Sequence, residues 1–447
     1  MRFSRKHSWP SIVLGSAACC VISICILGGA AASAADADLD TSFSSDGKIA
    51  FFMHSGDSVA NAVAIQPDGK IVVVGTSHNG ANTDIAVARF NRNGTLDLTF
   101  SGDGRAFYDF GWGNDTAEDV VIQIDGKIVV VGEALVDGTR YIAVVRFNAN
   151  GTFDQYTTVN LAIESRGFGI ALYPDGRIVL AGTCLVASSG WDFAVARLDT
   201  NLTPDTTFSS DGVFYWDFGD EGTDIAYDAA VQSDGTIVIG GSASFSSNDV
   251  FGLMMFSSTG GVVDLSIATF PNSAYGYGMT LQSDDKPVIV GMSDLGSGAF
   301  AIARFKAGGG LDTTFSGDGM DVRDFGALGY DPAQAVAVQQ DGKIVVVGFV
   351  TIGGYQHLTV MRYHPWGNLD FTFNPPTVDT RIQFFPTKHA YGYGVALQPD
   401  GKILAVGCTE WEAEQPAAAV RLLGDENLIF SERFEWGSTV PWSVTVP

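Results

Sequence analysis

Apolar and polar positions along the chain fall into short runs with a period of two, interrupted at regular intervals by a turn signature. That signature occurs seven times: Gln66-Pro67-Asp68-Gly69, Gln123-Ile124-Asp125-Gly126, Tyr173-Pro174-Asp175-Gly176, Gln232-Ser233-Asp234-Gly235, Gln282-Ser283-Asp284-Asp285, Gln340-Asp341-Gly342 and Gln398-Pro399-Asp400-Gly401. Its spacing is 50 to 59 residues. Apolar runs flank each copy, as Ala62 to Gln66 and Lys70 to Gly75 do the first, so each predicts a tight hairpin. Proline presets φ, aspartate tolerates the next position and glycine accepts the left-handed one. Asp285 stands where that glycine belongs, which predicts a strained or differently closed fifth turn.

The run after each turn is apolar at every position (Ile71 to Val74, Ile128 to Val131, Ile344 to Val347), so both faces of that strand are expected to be buried. A third run follows in each repeat: Ile85 to Phe90, Ile142 to Phe147, Phe193 to Leu198, Phe251 to Phe256, Phe300 to Phe305, Leu358 to Tyr363 and Ala417 to Leu422. Large and small residues alternate in most copies, and period two places them on opposite faces. A face of alanines lets a neighbouring sheet approach closely. A polar loop such as Asn93 to Gly104 then leads to a fourth run, Arg105 to Phe110.

Sheets of four short strands with two buried faces, repeated seven times, stack around an axis. Residues 39–53 match the loop and fourth strand of the repeat but precede the first hairpin, whereas the unit from Tyr391 to Leu422 has three strands and no fourth. The expected fold is all-β: a seven-bladed β-propeller of four-stranded antiparallel blades over residues 35–424, the ring closed by the N-terminal strand completing the last blade.

Residues 1–34 read as a signal peptide: a basic start (Arg2, Arg5, Lys6), an apolar run from Ile12 to Leu27, and Ala32-Ser33-Ala34 before the expected cut. An uncleaved anchor is the rival reading of so long an apolar run. With cleavage no stable membrane span remains, and the expected location is secreted or cell surface. Net charge is −25, and loss of the leader leaves −28, because residues 1–34 hold three cations and no acid. That surface repels nucleic acid and anionic lipid, so nucleic acid is excluded as a partner. Three of the five cysteines lie in the leader. The other two, Cys184 and Cys408, fall in repeats too far apart to bridge.

Lys-Ile-Val-Val-Val-Gly after Pro-Asp-Gly, the Ala-Val-Ala-Arg-Phe strand, and Asn-Gly-Thr-Leu-Asp with Thr-Phe-Ser-Gly-Asp-Gly together resemble the delta-60 repeat family of bacterial β-propellers over about residues 39–422. The resemblance implies an exported, often surface-associated propeller without an established activity. The segment 425–447, with Phe434-Glu435-Trp436-Gly437 and Trp442-Ser443, is similar to a short C-terminal motif of other exported bacterial proteins and reads as a sorting tag.

Arginine recurs in the third strand (Arg89, Arg146, Arg197, Arg304, Arg362, Arg421), with Met255 in the fourth copy, and aspartate recurs in the following loop (Asp40, Asp97, Asp154, Asp205, Asp264, Asp312, Asp370). The arginines are expected to be structural rather than to bind an anion, and the aspartates to cap their own turns or pair with them. The Ser-x-Asp-Gly segments (44–47, 101–104, 209–212, 316–319) lack the ligand series of a calcium loop and are expected to be Asx-type turns. No phosphate loop, metal-spaced histidine pair or nucleophile elbow occurs, so no catalytic residue, metal or cofactor is assigned.

The repeated turns share one face of the expected ring; the loops between fourth and first and between second and third strands share the other, where the repeats differ. That variable face carries the candidate binding residues Trp112, Arg166, Trp191, Asp220, Glu221, Tyr330, Tyr355, His389 and Trp411. The expected function is a non-enzymatic binding or surface-interaction scaffold, a monomer whose partner is a protein or a glycan. The alternative is a carbohydrate-active hydrolase or lyase using carboxylates of that face, with Asp220, Glu221, Glu164, Asp331, Glu410 and Glu412 available.

Overall fold

The chain divides into residues 1–34 and residues 35–447. The computed structural model describes residues 37–424, apart from 112, 220–221, 295–297, 327–328, 375–376 and 378, so the leader and the tail motif lie outside the described residues. Among the described residues no helix is long and apolar enough to cross a membrane.

The repeats fold into seven four-stranded antiparallel sheets. Blade 1 consists of Ser58–Ile65, Ile71–His78, Thr83–Phe90 and Arg105–Tyr108, in that order from the innermost strand outward. Blades 2 to 6 follow over residues 116–159, 164–216, 225–268, 274–323 and 333–382. Blade 7 takes Ala390–Leu397, Ile403–Thr409 and Ala417–Leu422 from the end of the chain and Lys48–Phe51 from its start. Ile49 is paired with Ala419 and Ala50 with Ala418, as the misplaced N-terminal strand predicts.

The core consists of layers between blades. Val72, Val74, Ile85 and Val87 of blade 1 pack on Val120, Ile128 and Val130 of blade 2, while Ile71, Val73, Ala86 and Ala88 face Leu404, Val406 and Ala419 of blade 7. Alternation along each strand thus sends successive side chains to opposite neighbours. Seven such layers close the ring. Hydrophobic burial stabilises these layers, and the two cysteines among the described residues, Cys184 and Cys408, are buried free thiols.

The recurrent arginines and aspartates pair. In blade 1 Arg89 Nε donates to Asp97 Oδ2 at 2.8 Å, and Asp97 Oδ1 accepts from the Thr99 amide and hydroxyl, so one carboxylate caps its turn and holds the guanidinium. The Arg89 guanidinium also lies over the Phe100 ring and donates through Nη1 to the Ala149 carbonyl of blade 2. Arg146, Arg197, Arg304 and Arg421 reach the equivalent carbonyls of Thr200, Ser258, Pro365 and Arg92, the last spanning the ring seam. In blade 4, where Met255 replaces the arginine, Gln232 Nε2 donates to the Ala307 carbonyl of blade 5 and restores the link.

The fifth hairpin closes as the others do: the Asp285 amide donates to the Gln282 carbonyl, with Asp285 in the left-handed region at φ 62°. Its carboxylate accepts from the Ser233 amide and hydroxyl of blade 4, a contact glycine cannot make. The Ser-x-Asp-Gly segments are Asx-type turns; Asp46, Asp103, Asp211 and Asp318 each accept from the amide two residues on.

Candidate functional site

Every innermost strand carries a bulge at the same place, which removes one residue from the ladder and leaves it beside the axis. The bulged residues are Asn61, Glu118, Phe168, Tyr227, Tyr277, Gln334 and Tyr393. Small residues flank them because the blades nearly touch there. A Cβ on Gly276 would sit 2.6 Å from the Gly241 carbonyl oxygen, and one on Gly278 2.7 Å from that of Gln334.

On one side of the ring the bulges are aromatic and continue upward as an arc of rings. Phe168 lies 5.1 Å from Tyr227 between centroids, and Tyr227 lies 5.5 Å from Tyr277. The Tyr277 and Tyr330 hydroxyls are hydrogen-bonded at 3.1 Å, and Tyr330 leads through Phe349 to Tyr391 and Tyr393, which are stacked within 3° of parallel. His389 stacks on Tyr391, and Tyr355 adjoins His389. Tyr277 and Phe349 are buried in the arc, whereas Phe168, Tyr227, Tyr391 and Tyr393 are half-buried and keep a ring surface open to solvent.

Arg166 and Trp191 meet on blade 3, with the guanidinium 4.7 Å from the ring. The buried Glu133 carboxylate pairs with Arg140 and lies 3.6 Å from Arg166 Nε. Arg166 also lies within electrostatic reach of Tyr227, and its pKa is lowered, first by burial and then by the Arg140 charge. Burial makes this cation electrostatically stronger toward any ligand that displaces water from it.

Polar side chains at or next to the bulges strap neighbouring blades together. Asn61 Nδ2 donates to the Ala117 carbonyl of blade 2. Asp119 accepts from the Val120 amide of its own strand and the Ile170 amide of blade 3; Asp228 accepts from Ala229 and from Met279 of blade 5. Burial, and after it the Asp228 charge, holds the Asp119 carboxyl well above the ordinary range.

Of the residues singled out in the sequence, Tyr330, Tyr355 and His389 join the arc, and Arg166 with Trp191 forms the pair beside it. Trp411 stands apart, exposed and stacked on Phe385 at 5.8 Å. Trp112, Asp220 and Glu221 lie outside the described residues. Asp331 is buried and accepts from the Thr351 amide, which commits one of its oxygens to a loop. Sequence reasoning missed Phe168, Tyr227, Tyr277, Phe349, Tyr391 and Tyr393. The duplicated Ala-Tyr-Gly-Tyr-Gly of residues 274–278 and 390–394 carried the signal, since glycines around an aromatic inside a strand mark a bulge or a close approach.

Residues 66–100, 123–155, 174–208, 232–268, 282–315 and 339–373 match the family described as "Domain of unknown function (DUF5122) beta-propeller". The chain carries the repeats of a propeller family. Each matched segment begins at a hairpin turn and ends no later than the fourth strand, so the unit recognised in sequence is offset from the blade. No curated protein matches. Among solved structures, the propeller is similar to the polysaccharide lyase Uly1 (12% identity, 82% of this chain and 90% of that one, TM-score 0.48). It is also similar to Sqt1 of Chaetomium thermophilum bound to the N-terminus of a ribosomal protein (12%, 85% and 100%, 0.48). A NanB sialidase variant from Streptococcus pneumoniae is a third (12%, 83% and 70%, 0.46).

Proposed function

We propose that this chain is an exported binding scaffold that takes a carbohydrate at the axial mouth of its variable face. The observation that carries the reading is the aromatic arc: ring surfaces from several blades, interleaved with tyrosine hydroxyls, open beside a half-buried arginine. Apolar faces with a few fixed polar groups suit a ligand that presents C–H faces and hydroxyls on one molecule, which is the chemistry of a sugar ring. Two acids next to the bulges, Asp119 and Asp228, are committed to the fold, since one oxygen of each accepts a backbone hydrogen bond from its own strand and the other from the neighbouring blade, which favours binding over turnover there.

The test is a glycan screen of the full chain followed by calorimetry on the hits, with Tyr227→Ala and Tyr393→Ala variants whose folding is checked by thermal unfolding. Saccharide binding that both variants weaken is the expected result. Binding that only Trp411→Ala weakens, or absence of saccharide binding, overturns the reading. Cleavage of a bound oligosaccharide would instead identify the carbohydrate-active hydrolase or lyase.

A further inference from the structure

Two trios of aspartates, far apart in the ring, share one construction. Asp84 opens the third strand of blade 1, Asp109 follows its fourth strand and Asp115 precedes the first strand of blade 2. Asp192, Asp217 and Asp224 hold the same places in blades 3 and 4. In each trio one oxygen from every carboxylate lies within 4.8 Å of the others.

Two members of each trio are occupied by the loops. Asp115 accepts from the Phe110 and Leu135 amides, and Asp224 from those of Phe218 and Ser244. Asp109 and Asp217 are exposed and accept from the amides of Gly111 and Gly219. The third member differs. Asp84 is 6% exposed and Asp192 1%, and in each Oδ2 accepts a side-chain hydrogen bond, from Asn79 or Ser189, while Oδ1 has no partner. A buried carboxylate oxygen without a donor costs free energy unless something else satisfies it.

Blade 5 shows that the loops do not need this third acid. Asp324 accepts there from the Gly326 amide and Asp331 from the Thr351 amide, as in the two trios, but Ala299 occupies the position of Asp84 and Asp192. Among the described residues, no lysine or arginine forms an ion pair with any of the six carboxylates.

We infer that each trio is a calcium site, bound by Asp84, Asp109 and Asp115 in one case and by Asp192, Asp217 and Asp224 in the other, with water completing the shell on the exposed side. Oxygens up to 4.8 Å apart can share an ion that takes its ligands at about 2.3–2.6 Å. The ion would supply a positive charge within each cluster and the partner that each buried Oδ1 lacks. Burial, with the neighbouring aspartates next among the charges, pushes Asp115 up to about 6 and Asp224 up to about 7. These sites were not visible as a motif, because each draws on three separate stretches of chain.

The test is calcium titration of the full chain after chelator treatment, read by calorimetry and by thermal unfolding. Two sites per chain are expected, with Asp84→Asn and Asp192→Asn each removing one and the double variant removing both. The exposed-residue variants Asp109→Asn and Asp217→Asn weaken the same two sites and guard against misfolding of the buried ones. Asp324→Asn in blade 5 leaves both intact. No calcium binding, a response to magnesium alone, or unchanged stoichiometry in Asp84→Asn and Asp192→Asn would overturn the assignment.

Discussion

Replacing Arg89 with methionine probes how far the blades depend on their recurrent ion pair. Arg89 is 5% exposed and Asp97 3%, so the substitution leaves a buried carboxylate without its main partner. Removing one member of a buried pair costs about 3–5 kcal/mol. Two features place Arg89→Met at the lower end, about 3 kcal/mol by the same principle: Lys70 Nζ stays 3.1 Å from Asp97 Oδ2, and Thr99 still donates twice to Oδ1. Blade 4 shows what accommodates a methionine. Met255 occupies the arginine position, Asp264 is half-buried rather than buried, and Gln232 makes the inter-blade bond. Gln66 stands in the hairpin of blade 1 as Gln232 does in that of blade 4, so Arg89→Met combined with Asp97→Asn should recover part of the loss. Equilibrium denaturation of parent, single and double variants measures both quantities. A single-variant loss below about 1 kcal/mol, the range of solvent-exposed pairs, would refute the reasoning.

Further outcomes follow from the same geometry. Burial alone would raise Asp40 and Asp205, but hydrogen bonds from Ser42 or Thr207 and the charge of Arg421 or Arg197 outweigh it and hold both at about 2. A carboxylate depressed on folding stabilises above its unfolded pKa and loses that contribution as pH falls through the folded one. Stability should therefore drop between about pH 4 and pH 2, by about 2 kcal/mol for each of the two groups, as denaturation across that pH range would record. Gly276→Ala should destabilise by about 1–3 kcal/mol through overpacking, because its Cβ meets the Gly241 carbonyl; a neutral thermal shift would show that blades 4 and 5 stand further apart at the axis.

The architecture was legible in the sequence because its physics is local and repeated. Turn chemistry marked each hairpin, alternation marked each face, and the surplus strand at residues 48–51 matched the strand missing after Leu422. Arg89 and Asp97 could be paired on paper because eight positions of chain separate them in every copy that has both within one stretch of sequence. The site was less legible. Bulges displace single residues toward the axis, so Phe168, Tyr227 and Tyr393 leave the alternation that assigns faces. The aspartate trios bring together residues about 30 positions apart, as Asp84 and Asp115 are, and no spacing rule joins them. Asp285 shows the reverse: a departure from the turn consensus that keeps the turn and adds a tie to the neighbouring blade.

Closure of the ring by the N-terminal strand underlies everything placed around the axis, and a cross-link tests it most directly. Ala50 and Ala418 are register partners, so Ala50→Cys with Ala418→Cys places two thiols side by side on adjacent strands. Oxidation followed by peptide mass spectrometry should find the two introduced cysteines joined within one chain, and the cross-linked protein should unfold at higher temperature than its reduced form. Failure of that bond to form under conditions where the folded protein is intact, or its formation only between two chains, would contradict the closed seven-bladed ring.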